Sequence, residues 1–215
     1  MELTAEEMRV LGCLLEKERA TPDAYPLSLN GLLNACNQTT SRDPVVRFRD
    51  DDVERALDGL RGHGLVRRGV YPGSRVIKYR HCVDEVLEPG PPGRALLAVL
   101  LLRGPQTPAE LKTRTERLHP FVDLAAVEDG LDALARRDEP LVERLEREPG
   151  RKEARWAHRL GDGALGPAPG ASLAVESSPG EAGGAVPPEA LVIGLEARVA
   201  ALEAAVVELR DRLDR

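Results

Sequence analysis

Aromatic residues are scarce, only 3% of the 215-residue sequence, which excludes a core built on stacked rings. The 42% hydrophobic content must pack instead through Leu, Val and Ala, a composition that favours helix-rich modules. Cysteine is scarce as well. Cys13, Cys36 and Cys82 are far apart and odd in number, which does not read as a disulfide framework. Even beside His81 they lack the paired short spacings of structural zinc, and the four histidines, His63, His81, His119 and His158, are scattered. The longest apolar run, Ala95–Leu102, is eight residues, well short of the roughly 20 a membrane-spanning helix needs. No secretory leader precedes the first helix signal, so the expected setting is the reducing cytoplasm, away from membranes.

Catalytic patterns are missing in the same way. Gly59, Gly62 and Gly64 close a helix that leads into a strand, the reverse of a phosphate-binding loop. No nucleophile pairs with a base, so neither an enzyme nor a cofactor is expected. The net charge of −6 argues at first against nucleic acid, since binding DNA requires cations that displace counterions. The distribution of that charge matters more than its sum. Met1–Val86 carries 13 basic and 14 acidic residues, Pro91–Leu160 carries 13 and 12, and Gly161–Arg215 carries 4 and 9. The acidity belongs mostly to the tail.

What is present is a repeated order of helix signals. Leu3, Thr4, Glu7 and Met8 combine a capping box with a hydrophobic staple, and Met8, Leu11, Leu14 and Leu15 form one apolar face of a helix ending near Arg19–Pro22. Ser28 caps a second helix through Leu29, Leu32, Leu33 and Cys36. Asp50–Asp52 open a third, carrying Val53, Ala56, Leu57 and Leu60, which Gly62 and Gly64 stop. Leu65–Tyr71, Pro72-Gly73-Ser74 and Arg75–Arg80 then read as strand, turn, strand. Three helices and a hairpin make the winged-helix order.

The order recurs. Gly93–Arg103 reads as an apolar helix, and Thr107-Pro108-Ala109-Glu110 as a second capping box whose helix continues through Leu111 and Leu118. Asp123 caps a helix with Leu124, Val127, Leu131 and Leu134, followed by strands at Leu141–Leu145 and Ala154–Trp156 around Pro149-Gly150. Aligning Pro72-Gly73 on Pro149-Gly150 places Arg75 on Lys152, Lys78 on Arg155, Tyr79 on Trp156 and His81 on His158.

The predicted fold is therefore mostly α with small β-hairpins (α+β), in two tandem winged-helix domains, residues 1–86 and 91–160. Residues 161–188 are rich in Gly, Ala, Pro and Ser and read as a disordered linker. Residues 189–215 read as a coiled-coil helix, with Val192, Leu195, Val199, Leu202, Val206, Leu209 and Leu213 at alternating spacings of three and four. Val at a with Leu at d favours a two-stranded parallel pair and hence a homodimer, with Arg198 at g facing Glu203 at e. An amphipathic helix docking on its own chain is the alternative.

The segments Thr21–Asn30, Ala35–Gln38, Ser41–Val45 and Ser74–Tyr79 resemble the YceH-like family of bacterial proteins, a resemblance reaching from Leu3 to about Leu160. It implies a tandem winged-helix fold with a C-terminal coiled-coil segment, and no mechanism.

Two binding surfaces stand out. Gly59–Val83 holds Arg61, Arg67, Arg68, Arg75, Lys78 and Arg80 without one acidic residue, a basic wing suited to a phosphate backbone, which Arg151, Lys152 and Arg155 repeat in the second hairpin. The polar loop with Asn37, Gln38, Ser41 and Arg42 has the composition of a recognition loop, or else of one tied down by local caps and pairs. The leading turns of the third helices carry Asp50, Asp51, Asp52 and Glu54, and Asp123 and Glu128, which repel phosphate and argue against base readout by those helices. The expected function is a DNA-binding regulatory or accessory protein; the alternative is a protein-interaction scaffold without DNA binding.

Overall fold

The computed structural model describes residues 1–71, 75–147 and 153–161. The two hairpin turns, Arg151, Lys152, the linker beyond Gly161 and all heptad positions lie outside the described residues.

Thr4 caps α1 (Ala5–Ala20) as its signal predicts: the hydroxyl accepts from Glu7 N–H, and Thr4 N–H donates to the Glu7 carboxylate at 2.7 Å. Ser28 caps α2 (Leu29–Cys36) by accepting from Gly31 N–H. α3 (Asp50–Gly62) starts one residue earlier than the acidic run implies: Arg49 is its N-cap, and Asp52 accepts the Arg49 N–H at 2.9 Å. It ends as a Schellman motif, with Leu65 N–H donating to Leu60 C=O and Gly64 N–H to Arg61 C=O. Gly64 takes φ +73°, a conformation that a Cβ would disfavour.

The first sheet has three strands rather than two. β2 (Val66–Gly69) and β3 (Lys78–His81) form the expected hairpin, pairing Val66 with His81 and Gly69 with Lys78. β1 (Leu27–Ser28), just before the α2 cap, adds to the other edge of β3 with Leu27 opposite Tyr79. The hairpin strands are shorter than their sequence pattern because nothing lies under the outer part: Val70, Val76 and Ile77 are 68%, 59% and 45% exposed.

A short helix, α4 (Val83–Val86), leads into α5 (Gly90–Arg103), which begins three residues before Gly93. Pro91 and Pro92 fit its first turn because N–H groups there have no intrahelical acceptor. α6 (Pro108–Thr115) is capped by Thr107 and Glu110, and α7 (Leu124–Ala135) by Asp123. α6 stops short of Leu118, whose N–H donates to Thr115 C=O in a closing turn while the Leu118 side chain stays buried.

β4 (Val142–Arg144) and β5 (Trp156–His158) complete the second repeat, and Gln106, next to the Thr107 cap, bridges to Trp156. The two repeats agree in register. Val66 opposes His81 and Val142 opposes His158; Leu65 C=O accepts from Cys82 and Leu141 C=O from Arg159.

The architecture is mixed α/β, largely helical, with two small antiparallel sheets. The first helices of the two repeats, α1 and α5, pack directly on each other. A Cβ on Gly12 would come within 2.9 Å of Leu102 and 3.1 Å of Leu101, so glycine permits the approach. All five α5 leucines are buried, each contributing roughly 2 kcal/mol of apolar transfer. The eight-residue apolar run is thus a central core helix, hydrophobic around its whole circumference. Among the described residues no helix is long and apolar enough to cross a membrane. Main-chain bonds Leu3 N–H to Leu160 C=O (2.7 Å) and Asp43 N–H to Leu102 C=O (2.9 Å) also join the repeats, and both belong to one compact unit.

Candidate nucleic-acid interface

The alternation of β2 and β3 sorts the basic residues of the first hairpin by face. Val66 and His81 oppose each other and are buried, so Arg67, Arg80 and Lys78 point outward while Arg68 and Tyr79 share the inward face, where Tyr79 packs half-buried against the core and Arg68 stays exposed. Arg67 and Arg80 stand directly opposite, an arrangement like charges disfavour. Glu85 of α4 resolves it: one carboxylate oxygen lies 2.6 Å from Arg67 and the other 3.3 Å from Arg80.

The Gly59–Val83 stretch contains no acid, yet the fold sets Asp58 and Glu85, just outside its ends, against three of its arginines. Arg61 pairs with Asp58 at 2.8 Å. Arg68, Arg75 and Lys78 have no carboxylate partner among the described residues, and Arg68 and Arg75 are exposed. The hairpin surface therefore carries five cations against Glu85 alone. The exposed apolar residues Val70, Val76 and Ile77 lie on the same hairpin.

In the second repeat, Arg155 is held by its own neighbours. Its guanidinium donates to Pro105 C=O at 2.6 Å and lies 3.1 Å from Glu110, which also closes the α6 capping box. Although burial is the largest influence and pushes the other way, the Thr107 N–H and the Arg155 charge hold the Glu110 carboxyl below the ordinary range.

The Asn37–Arg42 loop is knitted inward. Asn37 follows α2 and makes a two-way link to Phe48, donating to its C=O (2.9 Å) and accepting from its N–H (2.7 Å). Gln38 accepts from Lys17 at 3.3 Å and from Arg42 at 3.0 Å. The Arg42 side chain is fully buried, gripping both Glu16 oxygens (3.0 and 2.7 Å) and donating to the Ala35 and Ser41 carbonyls. Burial disfavours the Arg42 charge, but Glu16 outweighs it and raises the pKa. Ser41, at φ +60°, is the exposed member of the four.

Nothing in the sequence pointed to Arg9. It sits fully buried on α1, donating to Cys36 C=O (3.2 Å) and Pro44 C=O (2.6 Å), with burial pushing its pKa down. Together Arg9 and Arg42 fasten the loop to α1. His81 lies 3.1 Å from Glu18, and its backbone N–H donates to the Tyr25 hydroxyl, so it too serves the sheet–helix junction. Among the described residues no three His, Cys, Asp or Glu side chains gather as metal ligands. The leading turn of α3 presents Asp50, Asp51 and Glu54 to solvent, and Asp52 is engaged with Arg49 and Arg55.

Residues 3–151 match the family described as "Protein of unknown function, DUF480". A UPF0502 protein of Geobacter metallireducens is 53% identical over 182 residues, covering 81% of this chain and 83% of its own length. A UPF0502 protein of Pelobacter propionicus is 48% identical over 213 residues, covering 99% and 92%. One from a Shewanella species is 46% identical over 218 residues, covering 100% and 97%.

Proposed function

The chain belongs to the DUF480 (UPF0502) family, and on that footing we propose that it is a cytoplasmic DNA-binding regulatory or accessory protein rather than an enzyme. It acts through two tandem winged-helix modules, residues 1–86 and 91–160, and is paired by the heptad segment at residues 189–215. The element order of each repeat supports the module assignment: three helices, a hairpin, and a short strand or bridge ahead of the second helix that pairs with the hairpin's second strand.

The observation that carries the reading is the first hairpin's net charge, five cations against one carboxylate that pairs with two of them, leaving Arg68, Arg75 and Lys78 unpaired among the described residues. Phosphate contacts from such a surface position a protein on duplex DNA without reading sequence. Selectivity then comes from duplex shape, because the acidic start of α3 repels the backbone it would have to cross.

Fluorescence anisotropy with a duplex at low and then moderate salt tests it. Replacing Arg68, Arg75 and Lys78 together with Gln is expected to weaken binding about equally on all sequences and to lower the salt slope by about one per lost phosphate contact. Absence of binding by the intact chain at low salt removes the reading.

The exposed acidic turn of α3 favours a second reading, a scaffold whose modules dock on a partner protein. A partner retained by the intact chain after nuclease treatment, with no duplex binding at low salt, selects it.

A further inference from the structure

Between the repeats lies a cleft of about 650 Å³, walled by the last turns of α1, the loop after α2, the end of α5, and α6 with the loop that follows it. The hairpin reading makes no use of it. Lys17, Arg103, Arg114 and Arg117 line it, against the carboxylates of Glu16 and Glu116. Glu16 is already gripped at both oxygens by the buried Arg42 guanidinium, so it has little charge left to offer.

The cations are correspondingly under-compensated. Lys17 sits 3.5 Å from that same Glu16 oxygen, and Arg114 has only a loose pair with Glu110 at 3.7 Å. The Arg103 and Arg117 side chains make no hydrogen bond or ion pair among the described residues. The pKa of Arg103 is lowered, first by partial burial and then by the neighbouring charges of Arg114 and Arg42, which outweigh the opposing pull of Glu16 and Asp43. Thr40 and Ser41 bring hydroxyl donors to the rim, and Val99, Leu102 and Leu118 form an apolar part of the wall.

We infer that this inter-repeat cleft is a binding site for a small free anion bearing phosphate groups, held by Arg103, Arg114, Arg117 and Lys17. Guanidinium groups suit phosphate because their planar forks donate two parallel hydrogen bonds to its oxygens. Both repeats supply ligands, so occupancy would tie α1 to α6 and stiffen the unit that carries the basic hairpin.

Calorimetric titration of the full-length chain with inorganic pyrophosphate at low ionic strength tests this. Saturable binding of one anion per chain is expected, weakened about tenfold or more by the pair Arg103→Gln and Arg114→Gln. Arg136→Gln, at the exposed C-cap of α7, should leave it unchanged. The single change Arg117→Gln, at an exposed side chain, should weaken binding several-fold and serves if the double variant does not fold. No saturable binding, or binding indifferent to these changes, overturns the inference. A duplex arm separates the two possible sources of phosphate. If the double variant loses duplex affinity while pyrophosphate does not bind, the cleft holds DNA backbone and the free-anion assignment falls. Arg68→Gln should lower duplex affinity without altering pyrophosphate binding, so the hairpin and the cleft can fail independently.

Discussion

Arg42 is the clearest case of a side chain whose role depends on what surrounds it. In sequence it is a cation in a polar loop; folded, it is fully buried and holds Glu16 with both terminal guanidinium nitrogens. Removing one partner of a buried pair leaves the other charge unpaired, so Glu16→Gln should cost about 3 kcal/mol at neutral pH by urea denaturation. Burial is the largest influence on the Glu16 carboxyl and raises its pKa, but the Arg42 hydrogen bonds and charge prevail and hold it below 4.5. The folded-state value is thus depressed, so the pair's contribution is present above pH 4.5 and is lost as pH falls through the folded value. The stability gap between wild type and Glu16→Gln should narrow on acidification below that point. Gly59 makes a steric counterpart. A Cβ there would lie 1.7 Å from a Glu7 oxygen, so Gly59→Ala should displace the carboxylate that closes the α1 capping box and lower stability by about 1–3 kcal/mol in the same assay.

Among the elements, helix starts were legible from short polar signatures, because a cap is a local device joining residues three apart. Thr4, Ser28, Thr107 and Asp123 all cap as their patterns predict. Thr107→Ala should lower stability by about 1 kcal/mol, read as a shift in denaturation midpoint, since the freed Glu110 N–H loses its acceptor. Strand ends were less legible. The hairpin alternation runs past Gly69, but pairing stops where there is no core to cover, leaving Val70, Val76 and Ile77 exposed. β1 was missed altogether, since two residues hold no period, and it exists only because β3 offers an open edge.

For the molecule as a whole, α1 and α5 bury the first helix of each repeat against the other, and one cluster of buried apolar side chains runs through both. Thermal or chemical unfolding followed by signals from each repeat, with Trp156 reporting the second, should therefore give coincident transitions. Separate midpoints would mean that the repeats are energetically independent despite their contact.

Sequence by itself determined the six longer helices, the caps of four of them, the doubled order of elements and the register between the two hairpins, because each rests on neighbours within a few residues or on simple periodicity. The tertiary structure alone decided which charges remain available. Glu85 reaches Arg67 and Arg80 of an acid-free stretch, Glu16 consumes Arg42, and Lys17 joins Arg103, Arg114 and Arg117 in lining one cleft at the repeat junction. Ion pairing acts through space over a few ångströms, and the chain order of charges carries little of that distance.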